Sequence, residues 1–144
     1  MNQPLELIVG IGNPGADYAN TRHNAGVWFV EKLAEKCGVQ FKAEKKFFGR
    51  TALISPFGHD IRLLIPDTYM NQSGKSVAPL VNFFRIAPDQ MLIAHDEIDF
   101  PSGKVRLKQG GGLAGHNGLR DISRCLSGTT DFARLRLGVG RPEE

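Results

Sequence analysis

Polar residues stand where the apolar runs of this chain end and where its helical patterns begin. Asn13 follows an apolar run. His23 and Asn24 open a helical pattern. Asn71 lies between a strand-like run and a second helical pattern. Asp96 follows the run Met91–Ala94, and His116 with Asn117 opens a third helical pattern. In open α/β sheets, ligands collect at the carboxyl ends of strands beside helix N-termini. Such a set needs no covalent nucleophile. An imidazole oriented by a carboxylate can take a proton from water, because its pKa lies near working pH. Asparagine amides can anchor a carbonyl or stabilise a developing oxyanion. Each residue also has a structural reading. Asn13 suits Asn-Pro turn initiation, Asn117 a helix N-cap, and Asn71 a turn ahead of a Ser73 cap. His23 suits a cap or a packing role. A charge directly after Met91–Ala94 must sit at the sheet's end or be paired. The side chains alone leave a hydrolase and an anion-binding α/β domain open.

Several familiar motifs almost match. Gly10-Ile11-Gly12-Asn13-Pro14-Gly15 satisfies G-x-G-x-x-G after a strand, but a polar segment follows where a dinucleotide fold enters its helix. Ser73-Gly74-Lys75-Ser76 resembles the end of a phosphate loop, yet Tyr69 stands where its first glycine belongs. No G-x-S-x-G is present, so a serine nucleophile elbow is not indicated. His95-Asp96-Glu97 with His23 and His116 suggests a metal cluster only weakly, since neither HExxH nor a cysteine pair accompanies it.

The elements that must position these residues alternate. Short apolar runs predict strands at Leu5–Gly12, Gln90–His95, Val105–Lys108 and Ala133–Val139. Phe47–Ser55 and Ile61–Ile65 flank a turn-rich segment and read as a hairpin. Helical spacing predicts helices over Asn24–Cys37, Gly74–Phe84 and Asn117–Leu126. A hairpin among crossover units predicts an α/β class with a mixed sheet.

With 144 residues, 41% hydrophobic and 23% charged, the composition is that of one globular domain. No run approaches the roughly 18 apolar residues of a membrane helix, and no secretory signal is expected. Cys37 and Cys125 are too few for a disulfide framework, so a reducing cytoplasm is the simplest setting. Residues 1–100 carry 10 basic and 11 acidic side chains, whereas residues 101–144 carry 8 and 4. That asymmetry predicts an anionic partner, against the plainer reading of a solvated basic face. Lys104, Arg106 and Lys108 alternate, as do Arg134 and Arg136, which in strands places each group on one sheet face.

At this point a resemblance becomes specific. Val9-Gly10-Ile11-Gly12-Asn13-Pro14-Gly15, Tyr18 and Thr21-Arg22-His23-Asn24-Ala25-Gly26 resemble the N-terminal signature of bacterial peptidyl-tRNA hydrolases. The agreement continues through Lys46–Gly49, Pro66–Gly74, Ala94–Asp99, Gly115–Arg120 and Arg134–Pro142, in family order over essentially the whole chain. The resemblance implies a single three-layer α/β/α domain with a central mixed, mostly parallel sheet. It implies a cytoplasmic monomer that cleaves the ester between a peptide and the 3′ ribose of tRNA, without metal or cofactor and without a membrane. It makes His23 the general base, with Asp96 orienting it and Asn13 distinguishing N-blocked substrates. Asn71 and Asn117 would bind the peptide or terminal adenosine, Tyr18, Tyr69 and Met70 would line the site, and Lys108 and Arg136 would meet tRNA phosphate. The family's C-terminal lid and helix would begin where residues 1–144 end. The glycine loop departs from the family pattern at Leu113 and Ala114, where side chains replace the usual backbone freedom.

Overall fold

Alternation along the first strand sets the layering. In β1 (Leu7–Gly10), Leu7 and Val9 join one apolar cluster and Ile8 joins another, on the opposite face of the sheet. The computed structural model describes residues 4–15, 21, 24–113 and 115–141. Six further strands complete the sheet: β2 (Lys42–Glu44), β3 (Gly49–Ile54), β4 (Ile61–Pro66), β5 (Met91–Glu97), β6 (Val105–Gln109) and β7 (Ala133–Gly138). Their order is β2-β3-β4-β1-β5-β7-β6. The central strands β4, β1, β5 and β7 pair in parallel, and antiparallel pairings add β3 and β2 at one edge and β6 at the other.

Helix α1 (Ala25–Lys36) covers the Ile8 face through Val27, Val30 and Ala34. Helices α2 (Gly74–Phe84) and α3 (Asn117–Cys125) cover the other with Val77, Leu80, Val81, Leu119 and Ile122. The expected three layers are therefore present around a mixed sheet. The glycines of the first motif serve this packing. A Cβ on Gly26 would meet Ala94 O at 2.2 Å, and one on Gly10 would meet Gly26 O at 2.4 Å. Backbone lies on backbone there, so α1 needs glycine to reach the sheet.

Two expectations need correction. β2 was not expected, because Lys-Ala-Glu is short and polar and only its ladder with Thr51–Gly49 makes it a strand. β5 does not stop at His95. It runs through Asp96 and Glu97, both buried, because β7 pairs along its whole length and partners meet both carboxylates. The expected site residues Tyr18 and His23 lie outside the described residues.

Candidate active site

The loop leaving β1 is locked to the start of α1. The Asn13 N–H donates to Asn24 Oδ1 at 2.9 Å, and Asn24 Nδ2 donates back to Asn13 O at 3.0 Å. Asn24 occupies the N-cap position of α1, yet its side chain makes no capping bond. An asparagine suited to stabilise a helix end is spent on holding Asn13 instead. The Asn13 side chain then reaches across the sheet, where its Oδ1 accepts the Met70 N–H at 2.7 Å. A backbone N–H only donates, so the facing atom must be oxygen. The Asn13 amide is thus fixed with Nδ2 as its remaining donor.

Asp96, near the end of β5, is 6% exposed, and its Oδ1 accepts from His116 Nε2 at 2.8 Å. His116 is the N-cap of α3. Its Nδ1 accepts the N–H groups of Gly118 at 3.1 Å and Leu119 at 3.3 Å. Those two donors leave no proton on Nδ1, which assigns the Nε2–H tautomer and aims that proton at Asp96. His95 packs edge-on against the His116 ring at 4.8 Å, with Nδ1 2.7 Å from Asp96 O. Its Nε2 is buried and has no hydrogen-bond partner among the described residues. Burial, reinforced by neighbouring His116, pushes the His95 imidazole down to about 4, so it is neutral at pH 7. His95, Asp96 and His116 each offer one possible metal-ligand atom within 4.8 Å of the others. A cation on His116 Nε2 would displace Asp96 and move the ring proton to Nδ1, at the expense of both cap bonds.

Asn117 begins α3, and its Oδ1 accepts from the Arg120 guanidinium at 2.8 Å. A guanidinium also only donates, so Asn117 likewise keeps Nδ2 as its remaining donor. Asn13, Met70, Asp96, Glu97, Gly115, His116, Asn117 and Arg141 are among the residues lining a cavity of about 480 Å³. Four of the expected site residues, Asn13, Met70, Asp96 and Asn117, are therefore brought together. Tyr69 opens onto a neighbouring cavity, and Asn71 is exposed on the same short turn without lining either. A buried carboxylate paired with an imidazole stands beside two amides of fixed polarity, an arrangement suited to hydrolysis of an ester or amide.

A family model described as peptidyl-tRNA hydrolase matches residues 7–144. The chain belongs to the peptidyl-tRNA hydrolase family. It is 59% identical over 138 residues to a peptidyl-tRNA hydrolase of Edwardsiella ictaluri, covering 96% of this chain and 70% of the relative. It is 60% identical over 138 residues to one from Pseudomonas putida, covering 96% and 71%. The crystal structure of peptidyl-tRNA hydrolase from Acinetobacter baumannii superposes with a TM-score of 0.92 at 55% identity, covering 97% of this chain and 70% of that one. Membership makes the chain an ester hydrolase, on a fold it shares with that structure.

The basic C-terminal third of this peptidyl-tRNA hydrolase family member resolves into a ladder. Across β6 and β7, Arg106 stands opposite Arg136 and Lys108 opposite Arg134. Directly opposed residues share a sheet face, so all four cations crowd one surface. They are not equivalent. Arg136 Nη2 and Nε both donate to buried Glu97 Oε1, at 2.9 and 3.0 Å, so its charge is already met. Arg134 is 1% exposed and donates to the carbonyls of Gly111, Gly112 and Thr130. Burial, then repulsion from Arg136, lowers its pKa from the ordinary arginine value. Arg106 and Lys108 have no carboxylate partner among the described residues. Lys108 Nζ makes only a long contact to Gly112 O at 3.4 Å.

The site residues expected at the strand ends did not include Glu97, Arg141 or His116, all of which line the same cavity. Arg141 bonds Asp99 across its rim. The pairing of His116 with Asp96 was not foreseen. The signal for it was His116 directly before a helical pattern, which is an N-cap position. No helix among the described residues is long and apolar enough to cross a membrane.

Proposed function

We propose that this chain hydrolyses peptidyl-tRNA, breaking the ester between the peptide carbonyl and the 3′ ribose oxygen and releasing free tRNA. The observation that carries this reading is the pair of polarised amides, Asn13 and Asn117, beside the Asp96–His116 hydrogen bond. His23 serves as the general base. It takes a proton from water, whose oxygen bonds to the ester carbonyl carbon. The C–O bond to the ribose then breaks, and the proton passes to the leaving oxygen. Asn24, the next residue in the chain, is tied to Asn13 by two hydrogen bonds, and Asn13 lines the cavity. Asp96 supplies the negative charge that favours the imidazolium, and His116 holds Asp96 in place. Asn13 and Asn117 donate to the substrate carbonyl as charge develops on it. General base catalysis contributes about 10²–10⁴-fold, and one well-placed oxyanion donor roughly 3 kcal/mol.

The reaction needs no metal or cofactor. The His116 tautomer supports this, because ligation through Nε2 would undo the cap of α3. Asn71 and Tyr69 contact the substrate after it binds, along with Met70 and Tyr18. Arg106 and Lys108 meet tRNA phosphate, with Arg136 held ready beside Glu97. The enzyme works as a cytoplasmic monomer. The test is release of amino acid from N-acetyl-aminoacyl-tRNA and from unblocked aminoacyl-tRNA, with and without EDTA. Selective release of the blocked amino acid, unaffected by EDTA, is expected. Binding of tRNA without release would instead identify a tRNA-binding module.

A further inference from the structure

A second cavity of about 540 Å³ lies on the other side of the Tyr69–Met70 segment from the candidate site. Glu44, Phe48, Asp67, Tyr69, Gln72 and Lys75 are among its lining residues. Two aromatic residues line it while staying about half exposed: Phe48 is 45% exposed and Tyr69 57%. Lys75 Nζ lies 4.7 Å from the Phe48 ring centroid. Phe48 also holds a left-handed backbone conformation, with φ at 50°. That conformation costs a residue with a Cβ roughly 1 kcal/mol or more, and glycine nothing. Phe48 belongs to neither apolar core cluster, so the core does not account for a phenylalanine there. Its backbone is held by the Asp67 N–H donating to Phe48 O at 2.9 Å, a bond glycine would make equally well. Phe57 has a similar backbone but caps a hairpin tip between β3 and β4, at the opposite end of the sheet from Asn13 and Asp96, where a turn alone explains it.

The sheet order assigns a direction to this cavity. The cation ladder lies on β7 and β6, at one edge. The candidate site lies at the ends of β1 and β5, in the middle. The second cavity lies beyond β4, toward β3 and β2 at the other edge. With tRNA phosphate on the basic edge and the ester at the centre, the route across Tyr69 toward Phe48 leads the acyl chain away from the tRNA, into the larger of the two cavities that flank Asn13 and Met70 on that side. We propose that the Phe48–Tyr69 cavity is a subsite for the peptide part of the substrate, holding an apolar or aromatic side chain upstream of the esterified residue. This rests on the peptidyl-tRNA reading above. Two rings set at an open groove suit stacking against such a side chain, and the mixed charges of Glu44, Asp67 and Lys75 suit a backbone of no fixed sequence.

The experiment compares kcat/KM for N-acetyl-aminoacyl-tRNA and for N-acetyl-tripeptidyl-tRNA carrying phenylalanine upstream of the same esterified residue. The wild-type chain, Phe48→Gly and Lys75→Met are each measured. Wild type should prefer the tripeptidyl substrate by about tenfold, the discrimination one apolar pocket provides. In Phe48→Gly that ratio should fall to near one while the melting temperature holds or rises, because the left-handed position is relieved. Lys75→Met should keep most of the preference. A wild-type ratio of one, or a Phe48→Gly loss shared equally by both substrates, overturns the subsite. Absence of wild-type activity on the short substrate overturns the peptidyl-tRNA reading itself, and the subsite with it.

Discussion

His116 donates its Nε2 proton to Asp96 Oδ1 across 2.8 Å while its Nδ1 caps helix α3 through two backbone N–H groups. One ring therefore couples a helix end to a buried carboxylate. The two functions separate by substitution. His116→Asn keeps an N-cap acceptor but removes the bond to Asp96. It should fold, losing about 2 kcal/mol in urea denaturation, and lower kcat roughly 10–100-fold through misplacement of Asp96. A variant with wild-type kcat would confine His116 to capping.

Asp96→Asn tests the carboxylate directly. Its side chain keeps the acceptor for His116 but loses the charge that favours an imidazolium at His23. We expect kcat to fall about 10²–10⁴-fold with tRNA affinity little changed. An unchanged kcat would reduce Asp96 to a structural group.

His95 gives the fold an acid-sensitive point. Its imidazole titrates at about 4 in the folded chain, against 6.5 when exposed, mainly because of burial. Between those values the unfolded chain binds a proton that the folded chain does not. Stability is therefore full above pH 6.5 and falls as pH drops toward 4, by about 3 kcal/mol. Urea denaturation at pH 7 and pH 4.5 measures this. His95→Gln should flatten the difference, and an equally steep acid loss in that variant would assign it elsewhere.

Glycines near the first strand divide into packing and positioning roles. A Cβ on Gly12 would meet Asn24 Oδ1 at 2.4 Å, whereas one on Gly26 would meet backbone at Ala94 O. Gly26→Ala should cost about 1–3 kcal/mol of stability. Gly12→Ala should displace Asn24 and with it Asn13, lowering kcat more than the melting temperature. The reverse ranking would refute the positioning role of Asn24.

Cations in the ladder should differ in the salt dependence of tRNA affinity. Lys108→Ala should reduce the slope of log K against log salt by about one. Arg136→Gln should also destabilise the fold, because it strips buried Glu97 of its partner. Equal slopes for wild type and Lys108→Ala would remove Lys108 from the phosphate surface.

Much of this was legible from the chain. Gly74–Phe84 was read to the residue from the spacing of Val77, Leu80, Val81 and Phe84, but the expected Ser73 cap is not made: Ser73 Oγ donates to Met70 O, and distant Asp121 accepts the Gly74 N–H instead. The polar residues at strand ends pointed to one region, and Asn13, Asp96 and Asn117 do line one cavity there. What stayed hidden depends on partners distant in sequence. The run His95-Asp96-Glu97 reads as the end of a strand until Arg136 and His116 arrive to meet its carboxylates. Arg136 reads as a free surface cation until Glu97 is seen beside it. Asn24 reads only as the start of a helical pattern until its side chain is found on Asn13. Charge and hydrogen-bond capacity are visible in a sequence, but which group consumes them is decided by topology.

The most direct test of the central claim is single-turnover hydrolysis of N-acetyl-aminoacyl-tRNA by wild type and His23→Ala, with tRNA binding measured on the same samples. The account predicts metal-independent release by wild type and loss of release in His23→Ala, at comparable tRNA affinity. Near-normal release by His23→Ala would contradict it.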